Sequence, residues 1–422
     1  MNVHATTNHT PAERALIDQF ETSLPGLPGD ATVAARRTRA FDTLRKGLPT
    51  RKVEAWHYTD LRRLLASVPS PDAKAGAAAL APLLEGSTIL SVANGKAAPL
   101  ADHIEGVALT TMRDRLMAGE AVDGLQPATA DDAVGALNSA FVSDGFRLSV
   151  AAGAVIDRPI EFQNLQAGGQ SHARFAVSVG AGARATIVER QTGSGEALVS
   201  SVSEIDVGDD AEITWLIVQE QPDTVTQLGQ INATIGKNAK LTVFFMNTGG
   251  KLVRQELRIV AAGEGCEFKL RGVNLLAGST HCDVTMVLDH DAYGATSTET
   301  VRNVITDRAH GVFQGQIRVD REAQKTDAKM ACNTLLLSDE GQFSTKPELE
   351  IFADDVACGH GATVTEIERQ HLFYLMARGV PEKLARGLLV KAFVAEVIEE
   401  LDDDAVVEAL VAKLDAWFVE HG

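Results

Sequence analysis

Apolar residues recur at two different periods along the chain, and the changes of period divide it into three zones. In residues 10–24 and 31–46 they recur at three- and four-residue steps, which indicates two amphipathic helices. From about residue 146 to residue 350, short apolar runs alternate with polar residues and are punctuated by Gly and Asp, as is typical of β-strands. From Thr363 onward the helical period returns.

These changes of period predict three domains. The first is an N-terminal helical/mixed domain over residues 1–140, with short strands at residues 87–93 and 106–110. A β core follows over residues 141–362, and a C-terminal helical domain occupies residues 363–422. The chain as a whole is therefore expected to be mainly β.

The β zone contains an internal repeat of about 28 residues. The segments VGAGARAT, VGDDAEIT and IGKNAKLT place Gly180, Gly208 and Gly236 at steps of 28 residues. A further copy follows at Gly263, with Cys266 in the place of the repeated alanine. A fixed period of this length indicates a solenoid, in which each unit buries its apolar face against its neighbours. Because hardly a helical period occurs between the strands, we predict a parallel β-helix with small residues pointing into a narrow interior.

The C-terminal zone carries the start and stop signals of three helices. Residues 363–366 (TVTE) form a capping-box pattern, Gly379 is a plausible stop, and Pro381 suits the first turn of the next helix. The acidic residues 402–404 then supply an N-cap for the last helix. Since the ends of a solenoid need covering, we expect these helices partly to cap the β core.

Composition agrees with a repetitive soluble protein. Only 5% of the residues are aromatic, while there are 36 glycines. The formal net charge of −18 argues against binding of nucleic acid or of an anionic membrane. The sequence has neither a basic segment followed by an apolar run at its N-terminus nor an apolar stretch long enough to span a bilayer, so a cytoplasmic location is expected.

The four cysteines indicate neither a zinc ribbon nor a redox dithiol. Cys266, Cys282, Cys332 and Cys358 are separated by 16, 50 and 26 residues, and they are most simply free thiols in a reducing compartment.

Enzymatic signatures are also missing from the sequence. The turn at residues 179–185 (VGAGARA) is followed by β character rather than by the helix that a dinucleotide-binding turn requires. No phosphate-binding loop of the type G-x-x-x-x-G-K-[ST] occurs, so the chain is not expected to hydrolyse ATP itself.

One pair of side chains has metal-ligand chemistry. Cys358 and His360 are two residues apart, so on an extended strand they lie on the same side, about 6–7 Å apart. Thiolate and imidazole both bind iron and other transition metals. The alternative is that Cys358 is a small core residue and His360 a hydrogen-bonded turn residue. Because the pair supplies at most two ligands, a metal site here would need further ligands, either from elsewhere in this chain or from another chain.

Three segments resemble the SufB/SufD family of the SUF iron–sulfur cluster assembly system. Residues 338–363 (SDEGQFSTKPELEIFADDVACGHGAT) and 372–379 (LFYLMARG) are similar to its signature and helical motif, in the form typical of SufD-like members. Residues 48–60 (LPTRKVEAWHYTD) look like its P-x-R-x-x-E-x-W-x-Y-T element. The resemblance spans roughly residues 45 to 400.

The resemblance implies a fold, partners and site residues. The family fold is a right-handed β-helix between an N-terminal helical/mixed region and a C-terminal helical domain. SufD-like chains pair with a SufB-like subunit through their β-helices, and their C-terminal helices dock a SufC-like ATPase. Carried over by motif, His360 and Cys358 become candidate ligands at a transient iron–sulfur cluster site shared with the partner. The docking residues for the ATPase would be Leu372, Phe373, Tyr374 and Arg378.

The leading hypothesis is therefore a non-catalytic scaffold subunit for iron–sulfur cluster assembly. One alternative is a β-helix enzyme that acts on polysaccharides, against which the three Trp and three Tyr residues weigh. The other is the SufB-type paralogue that holds the cluster with its own cysteines, although that type carries H-E-A-T where this chain has HGAT at residues 360–363. Whether a flavin binds is left open.

Overall fold

The computed structural model describes residues 8–71, 76–100, 103–121 and 124–421. The helices in these residues are α1 (Pro11–Ser23), α2 (Ala31–Arg45), α3 (Leu61–Leu64), α4 (Met112–Met117), α5 (Ala133–Phe141), α6 (Arg369–Met376), α7 (Glu382–Ile398) and α8 (Asp404–His421). The strands are β1 (Thr88–Ala93), β2 (Lys96–Ala97), β3 (Val107–Thr111), β4 (Asp144–Val150), β5 (Ile160–Val179), β6 (Arg184–Val207), β7 (Glu212–Glu220), β8 (Val225–Ile235), β9 (Lys240–Asn247), β10 (Leu252–Ala261), β11 (Glu267–Leu276), β12 (His281–His290), β13 (Thr296–Ile305), β14 (His310–Val319), β15 (Asp327–Leu336), β16 (Gln342–Ile351) and β17 (Ala357–Thr365). No helix of the described residues is long and apolar enough to cross a membrane.

The predicted parallel β-solenoid is confirmed, and it is flattened into two faces. Strands β7, β9, β11, β13, β15 and β17 pair in parallel, each with the next, and form one face, here called sheet A. Strands β8, β10, β12, β14 and β16 pair in the same way and form sheet B. The long strands β5 and β6 contribute to both faces, since their first halves continue sheet A and their second halves continue sheet B.

The 28-residue step in the sequence equals the hydrogen-bonding register of the first coils. Arg184 pairs with Glu212, and Glu212 pairs with Lys240, so stacked residues are 28 positions apart. The repeated glycines lie where successive turns touch: a Cβ on Gly263 would come within 2.1 Å of the Gly236 carbonyl carbon. The small residues of the predicted repeat, Ala183, Ala211, Ala239 and Cys266, are buried, and later coils continue the row with the buried Ala295 and Ala323.

The interior also contains a polar seam that the repeat does not reveal. Asn247 donates a hydrogen bond to Asn274 at 2.8 Å, and Asn274 donates to Asn303 at 2.7 Å. Asn303 in turn donates to the Thr334 hydroxyl at 3.1 Å. These hydrogen bonds join buried amides from coil to coil, as polar groups in a dry interior require, although the Asn247 side-chain oxygen has no partner.

The N-terminal region covers the outer surface of sheet B. Helices α1, α2 and α5 form an apolar cluster with Leu198, Leu228 and Leu252 of the sheet. The tip of this region is formed by residues 54–59, here called the strap, which contact the four neighbouring strands β10, β12, β14 and β16. The Ala55 carbonyl accepts hydrogen bonds from Arg254 on β10 and Gln314 on β14, at 2.8 and 3.2 Å.

Buried ion pairs hold the strap in place. The Arg254 guanidinium is fully buried, lies 3.9 Å from the centre of the Trp56 ring, and contacts Asp283 at 2.5 Å and Glu256 at 2.9 Å. The Thr59 hydroxyl donates to Asp283 and lies 2.8 Å from His281 Nε2.

The C-terminal helices cover the outer surface of sheet A rather than the end of the solenoid, so the predicted capping role is wrong. Residues of α7 and α8 such as Val394 and Leu410 pack against outward-facing residues that include Leu216 and Phe244. The capping box expected at residues 363–366 is also wrong, because β17 continues to Thr365 and α6 begins at Arg369 without a side-chain cap. The cap expected at residues 402–404 is confirmed by hydrogen bonds from Ala405 N and Val406 N to the Asp403 carboxylate.

Candidate functional site

The solenoid ends in two strands that each pair on one side only. Within the described residues, β17 pairs with β15 and β16 pairs with β14, and neither has a strand partner on its second edge. Side chains in this last coil are mostly exposed or half-buried, including Ile351 and Phe352. Such an edge presents unpaired backbone N–H and C=O groups and is a template for pairing with another strand.

Cys358 and His360 both lie on β17, on the side that continues the inward-facing row of the solenoid. Cys358 is in register with Ala328 and His360 with Met330, which are buried residues of the interior core. Cys358 is half-buried against that core, whereas His360 is exposed. Partial burial raises the pKa of the Cys358 thiol, and the negative charge of Asp327 acts in the same direction.

A buried carboxyl group lies two strands behind this pair. Glu299 on β13 is in register with Met330, so Glu299, Met330 and His360 form one row across three strands. Neither oxygen of Glu299 has a hydrogen-bond partner, and burial raises the pKa of this carboxyl group to about 8. No group of three or more His, Cys, Asp or Glu residues that could hold a metal ion is found in the described parts of the chain.

Three of the predicted docking residues lie on α6, which buries none of its side chains, and the fourth, Arg378, lies two residues beyond its end. Phe373 is 73% exposed and Tyr374 55% exposed, while Leu372 is half-buried. The Arg378 guanidinium lies over the Tyr374 ring, 3.5 Å from its centre. Aromatic and Arg side chains that are exposed together are typical of the central residues of protein interfaces.

The exposed apolar surface extends beyond the predicted residues. Met376 at the end of α6 is exposed, as are Leu384 and Leu388 on α7. The two leucines are four residues apart, so they lie on one side of the helix, opposite the buried Val390 and Val394. Because the buried Val390 and Val394 have the same i, i+4 spacing, the sequence holds no signal that would have marked the two leucines as exposed.

A family model describes more than half of this chain. Residues 162–393, from β5 to α7, match the SufBD core domain of the SUF system for FeS cluster assembly. The matched region includes the strand with Cys358 and His360 and the helix with the exposed aromatic residues.

Individual relatives have names that agree with this match. The chain is 26% identical over 385 residues to the iron–sulfur cluster assembly protein SufD of Escherichia coli (strain K12), which covers 88% of this chain and 89% of that protein. It is 33% identical over 202 residues to an iron–sulfur cluster assembly SufBD family protein of Synechocystis, covering 47% of this chain and 44% of the relative. A SufBD family protein of Staphylococcus saprophyticus is 28% identical over 285 residues, covering 66% of this chain and 61% of the relative.

Proposed function

The chain belongs to the SufBD core-domain family of the SUF iron–sulfur cluster assembly system, and on that premise we propose that it is a non-catalytic scaffold subunit. It pairs with a SufB-like subunit through the open end of its solenoid, and it docks a SufC-like ATPase through α6 and the start of α7. Its substrate is a nascent iron–sulfur cluster, held only transiently and jointly with the SufB-like partner. The complex works in the cytoplasm.

The observation that carries this proposal is the position of Cys358 and His360 on the terminal strand. A cluster takes about four protein ligands, commonly thiolates and sometimes imidazoles. Cys358 and His360 would supply two of them, at an edge where the strand of another subunit can pair. The remaining ligands would then come from the partner, which makes the pairing itself a condition for building the cluster.

The exposed side chains of α6 support the second part of the proposal. Phe373 and Tyr374 lie on α6, a helix without buried residues, and form an aromatic and cationic surface with Arg378 just beyond its end. Helix α7, which follows, packs on β11 and β13 of sheet A, the sheet that β17 ends. A conformational change in an ATPase bound at α6 would therefore be transmitted through α7 and sheet A to β17, where Cys358 and His360 lie.

Substitution of the proposed ligands tests the cluster site. His360→Ala is expected to lower cluster assembly by the complete complex at least tenfold, with unchanged thermal unfolding and unchanged co-purification of the three subunits. His103→Ala, which removes an exposed imidazole upstream of β3, serves as the matched control and should have no effect. Assembly by the His360→Ala complex at the rate of the control would refute a ligand role for His360.

Charge placed on α6 tests the docking surface. Phe373→Glu is expected to abolish co-purification of the SufC-like ATPase while leaving the SufB-like subunit bound. Val419→Glu puts the same charge on an exposed apolar residue of α8 and should leave both partners bound. If the Phe373→Glu chain retained the ATPase, the docking surface would have to lie elsewhere.

A measurement on the isolated chain separates the proposal from the SufB-type alternative. The scaffold described above should bind iron only weakly without its partner, because its two ligands leave the coordination incomplete. Stable reconstitution of a cluster on the isolated chain would instead identify it as the member that holds the cluster by itself.

A further inference from the structure

One segment of this acidic chain carries a local excess of positive charge. Residues 31–65 contain nine Lys and Arg residues but only three Asp and Glu residues, a net charge of +6. Since the whole chain carries −18, the rest of it carries −24. A local excess of this size, opposite in sign to the charge of the remaining chain, indicates a binding surface for a charged partner. Neither the proposed cluster site nor the docking helix α6 accounts for it.

The fold gathers four of these cations around one loop. Lys46 ends α2, Arg51 and Lys52 follow in a turn closed by a hydrogen bond from Val53 N to Thr50 O at 3.0 Å, and Arg63 lies on α3. The start of α3 is joined back to the loop by a hydrogen bond from Arg62 N to Pro49 O at 3.2 Å. All four side chains are exposed, and together they are called the basic loop below.

Acidic residues next to the basic loop already have other partners. Glu13 pairs with Arg62 at 3.1 Å, and Glu54 pairs with Lys346 at 2.8 Å. The Asp60 carboxylate caps α3 through the backbone N–H of Arg63. Among the described residues, no carboxylate forms an ion pair with any cation of the basic loop. Its positive charge is therefore uncompensated within this part of the chain.

The loop is also rigidly mounted. The strap that follows it is held on sheet B by the buried Arg254 and Trp56 and by Thr59. His57 Nδ1 lies 3.3 Å from the Arg51 carbonyl oxygen, which ties the strap to the loop itself. Cations on a fixed backbone lose less conformational entropy on binding than cations on a mobile segment.

From this arrangement we propose that the basic loop is a docking site for a short acidic segment of another protein. Carboxylates spaced along a peptide would pair with Lys46, Arg51, Lys52 and Arg63. A long polyanion such as a nucleic acid fits poorly, because it would extend beyond the loop. The rest of the chain has a net charge of −24 and would repel it. A peptide that ends within the loop avoids this repulsion.

Peptide binding in solution tests the proposal. The probe is a fluorescein-labelled octaglutamate peptide, titrated with the full-length chain at low salt and followed by fluorescence anisotropy. Saturable binding is expected for the wild type, and it should weaken steeply as salt is added. The triple substitution Arg51→Glu, Lys52→Glu and Arg63→Glu should weaken binding about tenfold or more.

The matched control changes the net charge equally at exposed cations elsewhere. Lys240→Glu, Arg321→Glu and Lys383→Glu together should alter peptide binding less than about twofold, and circular dichroism should verify that both triple variants are folded. The proposal is overturned if the wild type shows no saturable binding, or if the control variant loses as much affinity as the loop variant. Equal or tighter binding of a single-stranded DNA octamer would overturn it in favour of a nucleic-acid partner.

Discussion

At the scale of single residues, Glu299 stands out because its ionisable carboxyl group is buried in the interior of the solenoid. A carboxyl group without a hydrogen-bond partner in an apolar interior is costly to ionise, and burial accordingly raises its pKa to about 8. It therefore lies in the row behind His360 mainly as a neutral acid at neutral pH. A neutral acid there adds no buried negative charge to the row behind His360.

Replacement of this residue should change how stability depends on pH. The folded chain keeps the Glu299 proton up to about pH 8, whereas the unfolded chain loses it near pH 4.5, so the unfolded state binds fewer protons between these values. The free energy of unfolding then falls as pH rises through this window, and Glu299→Gln removes the fall. We expect the stability of Glu299→Gln relative to the wild type to rise by on the order of 4 kcal/mol between pH 4.5 and pH 8.

Urea unfolding at the two pH values measures this effect. Glu350→Gln, at an exposed position on β16, is the control and should shift stability equally at both pH values. A Glu299→Gln difference that does not grow with pH would show that Glu299 is ionised in the folded chain.

At the scale of elements, the repeated turn explains why glycine recurs. Successive turns stack so closely that a Cβ on Gly208 would lie 2.8 Å from the Val179 carbonyl oxygen, and at Gly263 the contact is closer still. Glycine is thus required because the backbone of the neighbouring coil lies so close. The 28-residue period of the glycines equals the number of residues in one coil. Gly387 on α7 has no such neighbour within 4 Å.

Alanine at these two glycines should act in opposite directions. Gly263→Ala forces two turns apart and is expected to destabilise the chain by about 2–3 kcal/mol, the range typical of overpacking. Gly387→Ala should instead stabilise it by about 0.5–1 kcal/mol, because alanine favours the helix interior. Thermal and urea unfolding of both variants gives the comparison, and a neutral Gly263→Ala would mean that the turns can separate freely.

The strap gives a second test at this scale. Arg254→Met leaves Glu256 and Asp283 buried without their main cation and is expected to cost about 3–5 kcal/mol. Arg258→Met removes a partly exposed cation that pairs with Glu256 at 3.1 Å and with Asp132 at 3.6 Å, and it should cost less, about 1–2 kcal/mol, because water still reaches this guanidinium. Hydrogen exchange of the strap amides should rise in the first variant alone. Equal losses of stability in the two variants would contradict the anchoring role of Arg254.

At the scale of the whole molecule, the sequence predicted the architecture better than the arrangement of its parts. The solenoid could be predicted because the stacking of its coils requires glycine and small residues at a fixed step along the sequence. The alternation of side chains along a strand correctly placed Cys358 and His360 on one side of β17. The amphipathic period of α7 and α8 showed that one side is buried, but it does not encode which surface covers that side. Nor does local sequence reveal that Glu299 aligns with His360, because that register depends on loop lengths summed over two coils.

The covering of sheet A by the C-terminal helices leads to a prediction for the entire chain. Because α7 and α8 pack on apolar residues of five strands, among them Leu216, Phe244 and Val273, a chain truncated after Thr365 would expose a continuous apolar face. We expect this truncated chain to aggregate or to bind a hydrophobic dye strongly, although every strand of the solenoid is retained. Phe373→Glu in the full-length chain alters α6 without uncovering the sheet and should leave both solubility and Tm unchanged. A soluble truncated chain with low dye binding would show that the solenoid is stable without its helical cover, and α7 and α8 would then serve the docking helix rather than the fold.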